Sequence, residues 1–163
     1  MFLCAVAATL AVSFEAGAEP ALETWVPAGR NDIRKDDWRR ESPGGYIRSV
    51  LDMDGDGRPD EAVLVTSRDG SRSGVRICLD FQRVNPTARC EVVGVGPNVQ
   101  SIMGVHRRPP GCYSFVQKEG AGNGDGEVCS ETDVLDYFRF GSAGSFFRYD
   151  RTAKGFDRYW DSD

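Results

Sequence analysis

The chain is poor in the groups that carry out covalent chemistry. His106 is the one histidine among 163 residues, so any histidine-based triad must draw on it. Its neighbours Arg107, Arg108 and a Pro-Pro break read as a loop surface. No serine stands in a G-x-S-x-G elbow, and no glycine stretch forms G-x-G-x-x-G or the P-loop lysine pattern. No cysteine pair has C-x-x-C spacing, which with a single histidine argues against zinc. After the first fourteen residues no apolar run is long enough to span a bilayer, so stable membrane insertion is not expected. An excess of basic residues is also missing: 20 Lys and Arg face 25 Asp and Glu, a formal net charge of −5. Nucleic acid, which wants a basic face, is therefore not the expected partner. These absences leave a non-catalytic binding protein, with a pair of carboxylates the one catalytic device still open.

What is abundant is carboxylate in one place. Asp52-Met53-Asp54-Gly55-Asp56-Gly57-Arg58-Pro59-Asp60 puts acids at positions 1, 3, 5 and 9 of a short loop. A hard dication needs six to eight oxygens at about 2.3–2.6 Å, and this spacing supplies most of them. Asp52, Asp54 and Asp56 face one side of a tight coil, and Gly57 allows the sharp turn at position 6. The backbone carbonyl of Arg58 and the carboxylate of Asp60 complete the expected ligand set. Without a cation four such carboxylates repel one another, and calcium suits a flexible oxygen cage better than magnesium. The EF-hand pattern D-x-D-x-D-G is present, yet position 12 is Val63 where a bidentate Glu belongs. The flanks, Tyr46–Leu51 and Ala62–Thr66, are β-rich and too short for paired helices.

In that strand–loop–strand form residues 46–66 resemble the D-x-D-G-D-G-x-x-D loops of FG-GAP and VCBS-type repeats. The resemblance implies calcium carried between two strands, as in integrin-like propeller blades. It occurs once, so it implies no whole propeller.

Residues 1–18 read as a secretory signal: an apolar run from Met1 to Phe14 ends in Ala16-Gly17-Ala18, an A-x-A cleavage pattern. Its removal takes Cys4 and leaves Cys78, Cys90, Cys112 and Cys129. An even count in an exported chain reads as two disulfides. Of three connectivities, Cys78–Cys90 and Cys112–Cys129 are favoured because each pair brackets a hairpin. A periplasmic or secreted location follows from signal, thiols and calcium together.

Residues 19–45 read as a lead-in anchored by Trp25 and Trp38, with a short helix over Asn31–Arg40 capped by Asn31 or Asp32. Arg34, Lys35, Arg39 and Arg40 read as a solvated basic face. Residues 46–163 read as one all-β domain, an antiparallel β-meander of incomplete-propeller or sandwich type with one interstrand calcium loop. Strands are expected at Val75–Phe81, Cys90–Val95, Val99–Val105, Cys112–Gln117 and Gly155–Trp160. Gly120–Gly126 reads as a mobile loop, with Asn123, Asp125 and Glu127 as a lesser candidate for a second ion. In Tyr137–Phe140 and Phe146–Tyr149, period-two geometry predicts a core face and a wet face. The alternative is a half-exposed patch of aromatics and arginine, a composition that protein interfaces favour.

By size, compartment and loop the chain resembles small envelope proteins that block cell-wall hydrolases. Among these are periplasmic lysozyme inhibitors and the immunity proteins that neutralise lysozyme-like toxins. The resemblance implies a protein partner; the rival expectation is a calcium-stabilised adhesion or carbohydrate-binding module.

Overall fold

Apolar–polar alternation resolves into eleven strands in a computed structural model that describes residues 25–42, 44–81, 89–121, 123–142 and 144–161. The signal expected at residues 1–18 lies outside the described residues. One antiparallel sheet holds β1 (Trp25–Pro27), β2 (Arg48–Leu51), β3 (Asp60–Ser67), β4 (Arg72–Leu79) and β5 (Arg89–Pro97). Its order is β1-β3-β4-β5, and β2 pairs with the other half of the β3 edge. Trp25 stands opposite Ser67, and Leu51 opposite Asp60. The second antiparallel sheet has six strands. These are β6 (Met103–Arg108), β7 (Gly111–Lys118), β8 (Asn123–Ser130), β9 (Val134–Arg139), β10 (Gly144–Asp150) and β11 (Gly155–Trp160), in the order β6-β9-β10-β11-β7-β8. The fold is all-β, and the two sheets pack as a sandwich.

The main core lies between the sheets. Ala62, Leu64, Val75, Ile77 and Leu79 meet Val105, Leu135, Tyr137 and Phe147 there. The reverse face of the second sheet is also buried. The β7–β8 hairpin joins β11 at one end, in register at Tyr159↔Lys118 and Trp160↔Gln117, then folds back so that Tyr113 meets Phe146 and Phe115 meets Tyr159. Val134, Phe146 and Tyr159 form a smaller core beneath it. This corrects the expectation of a wet face on the aromatic strands. Phe147 faces one core and Phe146 the other, because β9, β10 and β11 form a middle layer.

Three further expectations change. The helix over Asn31–Arg40 is a 3₁₀ turn at Asp37–Glu41, and Asp32 instead accepts the Gly29 N–H at 2.7 Å. Arg39 is 5% exposed, so the basic cluster is not wholly a solvated face. Its guanidinium donates to the carbonyls of Gly45 (2.8 Å), Ser101 (2.9 Å) and Met103 (2.9 Å) and lies 4.2 Å from the Trp38 ring. The strand expected at Val99–Val105 is a 3₁₀ turn at Gln100–Ile102 followed by β6. Trp25 and Trp38 are both buried, so the lead-in from Trp25 onward is part of the fold.

Both disulfides pair as the hairpins suggested. Cys78–Cys90 joins register partners on β4 and β5, and Cys112–Cys129 joins partners on β7 and β8. Such bonds form and persist in oxidising compartments, outside the cytoplasm. Among the described residues no helix is long and apolar enough to cross a membrane.

Candidate metal centre

The aspartate loop fills the link between β2 and β3, at the end of the sandwich. Gly55 and Gly57 take φ of +70° and +82°, the left-handed region that glycine enters without steric cost. A Cβ at Gly55 would also run into Arg151 Nη2 and Thr132 Cγ2. The coil is wound by its own carboxylates. Asp52 Oδ1 accepts from Gly55 N (2.7 Å) and its Oδ2 from Gly57 N (3.0 Å). Asp54 accepts from Asp56 N at 3.2 Å, and Asp56 from Arg58 N at 2.8 Å.

Asp60 differs from the others in being 1% exposed. Its Oδ2 accepts from Met53 N (2.7 Å) and its Oδ1 from Asp80 N (2.8 Å), so one carboxylate fastens the loop to the ends of β3 and β4. Burial nevertheless raises its pKa to about 6, the two N–H bonds opposing the shift only in part. Burial is also the main cause that raises the Asp54 pKa, with Asp56, Asp80 and Asp52 adding repulsion. Asp56 is lowered, chiefly by the Arg58 N–H it accepts.

The predicted acids gather into two overlapping groups. Asp52, Asp54 and Asp60 bring carboxylate oxygens within 4.8 Å of one another, and so do Asp54, Asp56 and Asp80. Asp54 belongs to both. Arg58 contributes its side chain as well, since its Nη1 lies 3.0 Å from Asp80 Oδ1 and its Nε 3.7 Å from Asp56 Oδ2. Asp80 was missed from sequence, and hairpin register is the signal that finds it. Glu61 stands opposite Cys78, so counting back two residues along the ladder brings residue 80 beside Pro59.

Two residues of the link between β8 and β9 hold the loop from outside. Asp52 N donates to Asp133 Oδ2 (2.9 Å), and Asp133 N returns a bond to the Asp52 carbonyl (3.1 Å). Thr132 Oγ1 donates to the Met53 carbonyl at 2.8 Å. The loop is therefore bolted to both sheets. Its side-chain donors are all oxygen, and the acids outnumber the two arginines against the loop, Arg58 and Arg151. That composition fits a hard cation such as calcium.

The lesser candidate fares differently. Asp125 and Glu127 lie on β8, not in a loop, and Asp125 joins no acid group among the described residues. Glu127 sits beside Cys112 and Cys129, whose sulfurs are already joined to each other. The side chain of Asn123 lies outside the described residues. His106 is exposed on β6, its ring edge-on to Tyr46 at 5.7 Å.

Comparison with protein-family models, curated proteins and solved structures returned no match for this chain.

Proposed function

We propose that this is an exported protein-binding domain in which one calcium ion acts structurally, held by Asp52, Asp54, Asp56, Asp60 and the carbonyl of Arg58. The observation that carries the reading is the buried Asp60 carboxylate. It is tied to two backbone amides and grouped with Asp52 and Asp54, yet no lysine or arginine lies within ion-pair distance of it among the described residues. A buried carboxylate without a counter-charge is costly, and a dication at the mouth of the loop supplies that charge. The ion ties strands and does not move helices, because the loop joins β2 to β3 directly. The periplasm or the extracellular space supplies both the calcium and the oxidised cysteines.

A protein partner, such as a cell-wall hydrolase or a toxin of that class, suits what the surface offers. Phe140 is 56% exposed and stacks on Trp38 at 5.2 Å with an interplanar angle of 1°. Arg139 stands beside it, also exposed. Aromatic residues and arginine are enriched where proteins meet. The test is calorimetry on the metal-stripped protein, joined to capture of partners from a periplasmic extract with and without chelator. One binding event that Asp54→Ala and Asp56→Ala abolish supports the ion, and a flat titration at millimolar calcium rejects it. Retention on glycans in place of a protein would move the reading to a carbohydrate-binding module.

A further inference from the structure

The face of β9, β10 and β11 that meets the first sheet does not stay apolar to its end. It begins with Leu135, Phe147 and Tyr149 and runs out into Arg139, Arg158 and Trp160. Across from these residues β5 carries Gly94 and Gly96. Gly94 takes φ +62° at the point where the β4–β5 register slips, and a Cβ at Gly96 would meet nothing within 4 Å. At Gly94 the strand packs directly on Phe147 and Tyr137, where a Cβ would find little room, and past it the absent side chain of Gly96 leaves the sandwich open. The opening is a cleft of about 360 Å³, within the range of ligand sites.

The charge of this cleft is opposite to that of the molecule. No Asp or Glu lines it, although the chain carries a formal net charge of −5. On the same sheet other partly buried cations are matched by carboxylates: Arg108 with Asp136 and Asp161, Arg148 and Lys118 with Asp157. Arg139 and Arg158 have no carboxylate within 4 Å among the described residues. Arg158 is half-buried and fixed in place, its guanidinium 4.0 Å from the Trp160 ring centre and its Nε donating to Ser145 Oγ at 3.1 Å. Burial lowers its pKa, and Glu119 acts on it only from outside the lining. A planar cation held by stacking, with donors to spare and no counter-ion, is a preorganised anion receptor.

We propose that this cleft binds an acidic peptide segment of a partner protein, with Arg139 and Arg158 receiving a side-chain carboxylate. The remaining walls decide between anions. Val99, 41% exposed, lies beside Pro97 and Met103 and offers an apolar surface. A charge on an apolar stem, such as a glutamate side chain in a peptide, covers such walls, whereas a free inorganic phosphate would leave them against its hydration shell. The proposal deepens the reading of a protein-binding domain, and rests on it for the ligand being part of another protein.

The test uses the full calcium-loaded chain labelled with nitrogen-15, observed at the indole N–H of Trp160. A blocked peptide of alternating glutamate and leucine should shift that signal saturably. The matching lysine–leucine peptide and millimolar inorganic phosphate should not. Arg139→Glu, at an exposed position, should weaken binding tenfold or more. Gly96→Leu should fill the cleft and remove binding with the rest of the spectrum preserved. An unmoved Trp160 signal, an equal response to the lysine peptide or to phosphate, or undiminished binding by Arg139→Glu would each overturn the proposal. Capture of the same partner by wild type and Arg139→Glu would reject the cleft and spare the protein-binding reading. A normal peptide titration in a protein that captures no partner would do the reverse.

Discussion

Replacing Asp60 by asparagine should separate what the loop does by itself from what an ion adds. The carboxylate is 1% exposed and accepts two backbone N–H groups, at 2.7 and 2.8 Å. Asparagine keeps one carbonyl oxygen and turns an NH₂ toward the other amide, so one hydrogen bond is lost, worth about 1 kcal/mol. Removing a buried charge that has no ion pair offsets part of that loss, so in chelator the variant should lie within about 1 kcal/mol of wild type. If the loop holds calcium as proposed, free calcium a hundredfold above Kd should stabilise wild type by RT ln(1 + [L]/Kd), about 2.7 kcal/mol. For a domain of this size that is about 8 °C in Tm. The variant, without the carboxylate proposed as a ligand, should gain less than a quarter of it. Differential scanning calorimetry at pH 7.5, above the raised pKa of Asp60, measures all four corners of the cycle. Equal calcium gains in the two proteins would refute the placement of the ion on Asp60. A large, reversible far-UV change on chelation with no loss in Tm would instead make the ion a switch.

Three other expectations follow from particular side chains. Arg39→Met strips the donors from three carbonyls and should cost about 3–5 kcal/mol in urea unfolding; a loss below about 1 kcal/mol would contradict the clamp. The exposed Cys112–Cys129 bond should be opened by mild thiol before Cys78–Cys90, whose Cys78 is 2% exposed, as peptide mapping after timed alkylation would reveal. Loss of either bridge should cost about 3 kcal/mol. Asp69 accepts from Ser67 Oγ and from Ser71 N and Oγ, which lowers its pKa to about 2. A depressed carboxylate contributes stability above its unfolded pKa and loses it as pH falls through the folded one. Asp69→Asn should therefore flatten the loss of stability between about pH 4 and pH 2.

The parts legible in the sequence are those set by neighbours along the chain. The aspartate spacing, the turn at Asp69-Gly70 and the cysteines that bracket hairpins each depend on a few consecutive residues. What escaped is set across the fold. Which of Arg34, Lys35, Arg39 and Arg40 goes inside is decided by carbonyls of Ser101 and Met103, 62 and 64 residues beyond Arg39. Asp133, which grips Asp52 from 81 residues away, carries no local mark. Phe146 and Phe147 show how alternation misleads. Period two tells which residues share a face but not how many faces are covered, and here a folded-back hairpin covers the second.

The split edge of β3 has a consequence for life at high concentration. A strand of eight residues closed by one partner of three and another of four exposes no long run of free ladder on that side. At the far side of the same sheet β5 carries a register slip and the kink of Gly94, and ends at Pro97. The other sheet ends in β6 and β8: β6 is met by the Tyr46 carbonyl at Val105 N and by Arg39 at the Met103 carbonyl, and β8 carries the exposed acids Asp125 and Glu127 with Asn123, Gly124 and Gly126 before or between them. A flat, uncharged edge is a template on which a second chain can add, and these are the ordinary ways of spoiling one. Among the described residues these strand edges thus offer little on which a fibril can start.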